Sequence, residues 1–86
     1  MGCVSPRPLN EFTLARTAVD SAKGAGAENF AAGLWYQAQS QFRLGQQALK
    51  DKDNESAKKH FASAVRLAEK AENAARLKKF ETGETF

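Results

Sequence analysis

The sequence predicts an all-α protein, either an antiparallel three-helix bundle or a long helical hairpin with an N-terminal docking helix, and three observations carry that expectation. Both prolines, Pro6 and Pro8, precede the first periodic segment, so from Leu9 onward only glycine interrupts a helix. Alanine supplies 16 of the 86 residues, favouring helix while filling little core volume. Apolar residues recur at alternating spacings of three and four rather than two, which places them along one side of a helix and not on the face of a strand.

Each element follows from local chemistry. Residues 1–8 (MGCVSPRP) have no apolar period and two prolines, and read as a flexible leader that serves as a tether. From Leu9 to about Lys23, Phe12, Ala15, Val19 and Ala22 share one helix face, with Glu11 suited to the positive end of the helix dipole. Gly24-Ala25-Gly26 ends that helix, and Glu28-Asn29 offers polar groups to start the next.

A second helix is expected over about 30–50, with a seam of Ala31, Trp35, Ala38, Phe42, Gly45 and Leu49. Gly45 on that seam lowers helix propensity but permits close approach of a neighbouring backbone. Its other faces carry Gln37, Gln39, Gln41, Gln46 and Gln47, polar without charge. Residues 51–55 form a turn in which Asp53 is a natural N-cap, and a third helix runs over about 54–79. Its seam of Ala57, Phe61, Ala64, Ala68, Ala71 and Ala75 demands tight packing. The helical domain therefore spans residues 9–79, and residues 80–86 read as a frayed tail.

Composition narrows function. The net charge is +3, with nine Lys/Arg against five Asp/Glu in residues 50–80 and four against three in residues 1–49. The ordinary reading of such an excess is a solvated helix face. The alternative is a basic bundle that binds nucleic acid or cell-wall polymer through Lys58, Lys59, Arg66, Lys70, Arg76, Lys78 and Lys79. Nucleic acid is the less expected of these partners.

One histidine and one cysteine in separate segments leave little for nucleophilic or metal chemistry, and no HExxH, paired-cysteine or EF-hand spacing occurs. His60 reads as a surface or boundary residue. Gly24, Gly26 and Gly33 follow no strand and precede no Lys-Ser or Lys-Thr pair, so they mark a helix stop rather than a phosphate loop. No enzyme activity, cofactor, metal or small-molecule substrate is expected.

Trp35-Tyr36 could stack on a ligand, but Trp35 lies on the seam and reads as core. Tyr36, Gln37 and Gln41 remain as candidate contact residues. Cys3 has the sharpest reading, since a Gly-Cys pair heading a polar leader invites acylation. A bacterial lipoprotein cysteine follows a small residue, whereas the eukaryotic alternative, myristate on Gly2 with palmitate on Cys3, favours Ser or Thr where this chain has Pro6. The bland alternative is an unmodified thiol, which would allow a cytoplasmic location. No stretch approaches the roughly 20 apolar residues that span a bilayer.

The order AxxAVDSAKGAGAENFAAG, a polar-aromatic helix, then ALKDKDNESAKKHFASAVRLAEKA resembles a family of uncharacterised bacterial domains found in envelope lipoproteins and sometimes ahead of OmpA-like peptidoglycan-binding domains. The likeness covers about residues 9–77 and rests on Ala15, Ala18, Ala22, Gly26-Ala27, Ala38, Ala48, Ala57 and Ala64. It implies a helical domain carried on lipidated Cys3, facing the periplasm, with another envelope protein or a second copy as partner. Val4 and Ser5 after the cysteine resemble outer-membrane retention. Residues 44–64 are also similar to one tetratricopeptide repeat, through Leu44-Gly45, Ala57, Phe61 and Ala64, although Gln41, Ala48 and Glu69 depart from it. That likeness implies a groove lined by Tyr36, Gln37 and Gln41.

Overall fold

The computed structural model describes residues 9–82. It consists of α1 (Leu9–Gly24), a single turn α2 (Ala27–Phe30), α3 (Ala32–Lys50) and α4 (Asn54–Thr82). The fold is the all-α bundle that the sequence predicts, and α1 and α3 both lie along α4. Ala15 and Ala48 pack with Ala57, Phe61 and Ala64, whereas Val19, Ala22, Trp35 and Ala38 pack with Ala68, Ala71 and Ala75. Thus α1 runs parallel to α4, and α3 runs antiparallel to both.

The core is made of alanine. Among the described residues, eleven of its fourteen buried apolar side chains are alanines, the others being Val19, Trp35 and Phe61. All six seam positions of α4 are fully inaccessible. Short side chains let helices approach to the lower end of the usual interaxial range, about 8 Å. The volume that alanine leaves is filled, at the end of the bundle where α4 begins, by Phe12, Phe42 and Phe61. Their ring centroids lie 5.5–5.6 Å apart, with Phe12 and Phe42 stacked and Phe61 edge-on to Phe12.

Phe61 fits because Gly45 has no side chain. A Cβ at Gly45 would lie 2.5, 2.6 and 2.9 Å from three carbons of the Phe61 ring. The close approach expected at this glycine is therefore made by an aromatic ring and not by a backbone.

The expected second helix, 30–50, is divided. Ala31 has φ −145° and ψ 51°, so the chain makes one turn over Ala27–Phe30 before α3 begins at Ala32. Gly26, at φ 86°, provides the left-handed step that starts this turn. The break lets both Ala27 and Trp35 enter the core. Helix α4 also continues past Lys79, so Phe80, Glu81 and Thr82, expected in the tail, are helical, and the rest of that expected tail lies outside the described residues. No helix-breaking residue precedes Gly83, which explains the extension.

The α3–α4 connection joins a C-cap to an N-cap. Lys52 adopts φ 62°, with its N–H donating to Leu49 O at 3.0 Å and the Asp53 N–H donating to Ala48 O at 2.8 Å. That pair of bonds is the Schellman pattern, with a lysine in the position glycine prefers. Asp53 then accepts the Ser56 N–H on its carboxylate at 3.2 Å, as its N-cap reading requires.

Candidate functional site

The candidate residues separate onto different surfaces. Tyr36 is exposed (57%) and Gln37 is exposed beside it, whereas Gln41 is half-buried against α4. There the His60 ring N–H donates from Nδ1 to Gln41 Oε1 at 2.8 Å. Tyr36 and Gln41 are five residues apart, so they point about 140° away from each other around α3. These three side chains do not line one groove, and Gln41 has an internal partner.

On α4, Lys58, Lys59, Arg66 and Lys70 are all exposed. The spacings of seven and four place Lys59, Arg66 and Lys70 on one stripe opposite the alanine seam, with Lys58 on its flank. Arg66 also donates to Ser63 Oγ at 3.4 Å. Two other basic residues are engaged within the chain: Arg76 pairs with Glu72, and the Lys79 ammonium sits 5.8 Å from the Phe30 ring centroid. Cys3 lies outside the described residues.

A groove not anticipated from the sequence lies between α1 and α3, which touch α4 more extensively than each other. It measures about 380 Å³ and is lined by Arg16, Val19, Asp20, Gln39, Phe42, Arg43 and Gln46. Val19 and Phe42 are its apolar members, and two guanidinium groups, a carboxylate and two amides supply its polar part. Arg16 with Asp20, and Gln39 with Arg43, are i,i+4 pairs beside the apolar seams of their helices. Those flanking polar pairs are the signal that could have revealed the groove.

The Asp53 carboxyl is held below its ordinary value, chiefly by its hydrogen bonds from the Ser56 side chain and backbone, with a smaller electrostatic contribution from the neighbouring Lys59 and His60. Among the described residues no three His, Cys, Asp or Glu side chains gather where they could share a metal ion. No described helix is long and apolar enough to cross a membrane.

Residues 10–83, nearly all of the helical structure, match a domain of unknown function, DUF4398. The chain belongs to that family. No curated protein and no solved structure matches it. The DUF4398 match encloses the α1–α3 groove, the Gln41–His60 contact and the basic stripe of α4 alike. It agrees with the expectation of a helical domain of uncharacterised function.

Proposed function

We propose that this DUF4398 domain is a non-catalytic adaptor or scaffold of the bacterial envelope, held at the periplasmic face of the outer membrane by a lipid on Cys3. The observation that carries the adaptor reading is the α1–α3 groove. Its Val19 and Phe42 floor can accept an apolar side chain, while Arg16, Asp20, Arg43 and the amides of Gln39 and Gln46 offer donors and acceptors at the rim. Protein interfaces combine an apolar centre with such a polar rim. The partner is another envelope protein, with a second copy of the chain as the alternative. The lipid anchor rests on the Gly2-Cys3 pair and on the family resemblance of the alanine pattern.

The tetratricopeptide-like reading keeps peptide binding but needs Tyr36, Gln37 and Gln41 on one groove, and Gln41 is turned toward His60 of α4. A polypeptide would instead be received between α1 and α3, against Gln39, Phe42, Arg43 and Gln46.

Two measurements test the proposal separately. Intact mass and membrane partitioning of the native product, beside Cys3→Ala, test the anchor: an acyl increment lost in the variant supports it, and an unmodified soluble product overturns it. A photo-crosslinking residue at Gln46, compared with one at Tyr36, tests the groove. A defined adduct at position 46 that disappears in Arg16→Glu/Arg43→Glu supports the adaptor, whereas adducts at Tyr36 alone, or adducts indifferent to the arginines, overturn it.

A further inference from the structure

The outer face of α4 has a composition unlike the rest of the molecule. Helix α4 carries seven Lys/Arg against four Asp/Glu, a net +3, whereas residues 9–53 carry five of each. The net positive charge of the described structure therefore resides on one helix. Of its four carboxylates, Glu72 is already paired with Arg76, Glu55 and Glu81 stand near the two ends, and Glu69 is exposed on the flank of the stripe beside Arg66 and Lys70. Lys58 and Lys70 have no carboxylate partner among the described residues.

The stripe opposite the alanine seam continues past Arg66 and Lys70 into Leu77 and Phe80, at spacings of seven and three. These two side chains are 60% and 73% exposed, the latter being the most exposed large apolar group described. Nothing among the described residues covers them, because the face of α4 that packs against α1 and α3 is the alanine seam on its far side. Cationic and large apolar groups thus project in one direction from a rigid helix. The stripe follows α4, the longest helix of a body measuring 57 × 18 × 13 Å.

We propose that this outer face of α4 rests on an anionic phospholipid surface, with Lys59, Arg66 and Lys70 at the phosphates and Leu77 and Phe80 inserted among the upper acyl carbons. The charge complementarity is that of a basic helix with an anionic leaflet. The two apolar side chains decide between polyanions: a phosphodiester backbone or a cell-wall polymer offers them no apolar phase, and a bilayer does. The surface contact does not require acylation of Cys3, so it stands apart from the anchor and from the groove.

The test uses the full chain with Cys3→Ser, so that no acyl chain contributes, and measures co-sedimentation with vesicles of phosphatidylglycerol and of phosphatidylcholine. Binding is expected for phosphatidylglycerol and should weaken with salt. Each basic residue near such a surface is worth a factor of about five, so Arg66→Gln/Lys70→Gln should weaken binding about 30-fold. Leu77→Ser/Phe80→Ser should weaken it roughly tenfold or more at unchanged helicity, since both sites are exposed in the bundle.

Equal binding to the two lipids, or variants that bind like the parent, would overturn the proposal. So would tighter binding to duplex DNA or peptidoglycan that ignores Leu77 and Phe80, an outcome that assigns the basic stripe to a polyanion instead. Because Cys3 is absent and the groove is untouched, failure here leaves the adaptor proposal standing, and failure of the adaptor leaves this one.

Discussion

Replacing Gly45 by alanine sets two effects of opposite sign against each other, and the structure decides between them. In an exposed helix interior the change would stabilise by about 1 kcal/mol, because glycine loses more backbone freedom than alanine. Here the new methyl carbon would sit 2.5–2.9 Å from three carbons of the Phe61 ring, against 3.4–4 Å for ordinary contact. Relief requires the ring to retreat by about an ångström. Phe61 is fully buried and held by Phe12 at 5.5 Å and Phe42 at 5.6 Å, so its movement propagates through all three rings.

Overpacking of this kind costs about 1–3 kcal/mol, and a core of close-packed alanine helices has little slack to lower that figure. The clash prevails, and Gly45→Ala should be destabilising by about 1–2 kcal/mol, with Tm lowered by roughly 5–15 °C. Urea and thermal melts followed by circular dichroism measure it, with Gly33→Ala as the control, since a Cβ there meets nothing within 4 Å. Gly33→Ala should be neutral or stabilising by up to about 1 kcal/mol. Pairing Gly45→Ala with Phe61→Leu should cost less than the two changes summed, because each relieves the other. A Gly45→Ala protein as stable as the parent would refute the account of a ring seated on a bare helix backbone.

Three further outcomes are expected. Lys52→Gly should stabilise the chain by about 1 kcal/mol, because an L-residue at φ 62° carries left-handed strain that glycine does not; a drop in Tm would mean that the lysine side chain matters more than its backbone. Gln41→Ala and His60→Ala should each destabilise by about 0.5–1.5 kcal/mol, and the double variant by less than their sum, read from urea midpoints as the coupling of the 2.8 Å bond. Asp53 has a folded-state pKa below its ordinary 3.8, so its stabilisation is present above that value and is lost as pH falls through the folded pKa. Asp53→Asn, which keeps an acceptor at the cap but does not titrate, should therefore flatten the acid limb of the stability profile; an unchanged limb would show that other carboxylates dominate it.

The periodic positions of α4 were the most legible part of the sequence. Ala57, Phe61, Ala64, Ala68, Ala71 and Ala75 follow one from another by three or four residues, and all six are fully buried. A repeat near 3.5 residues leaves one direction apolar, and an alanine in that direction has no use except contact. The cap at Asp53 was equally legible, because its geometry is local and spans only the three residues to Ser56. Trp35 was correctly separated from Tyr36 by the same periodicity, being 2% exposed where its neighbour is 57%.

Less was legible where two elements meet. Gln41 carries the same side chain as Gln37, and only the placement of His60 across the α3–α4 contact distinguishes a half-buried partner from a solvated amide. Arg16, Asp20 and Arg43 attract no notice in separate helices, and become a rim only because the fold sets α1 beside α3 at Val19 and Phe42. Within α4, Arg76 and Lys79 read as equal to Arg66 and Lys70, until Glu72 takes one and the turn at Phe30 the other.

What the sequence alone determined is therefore whatever depends on residues within a turn or two of each other: helical content, which side of each helix is apolar, and where α4 starts. Tertiary structure decided the division of the second helix at Ala31, the seating of Phe61 on Gly45, and the groove between α1 and α3. The physical reason is range. Helix propensity, capping and amphipathic period act over three to seven residues and can be read along the chain, whereas steric fit between helices depends on their mutual placement, which no local spacing encodes.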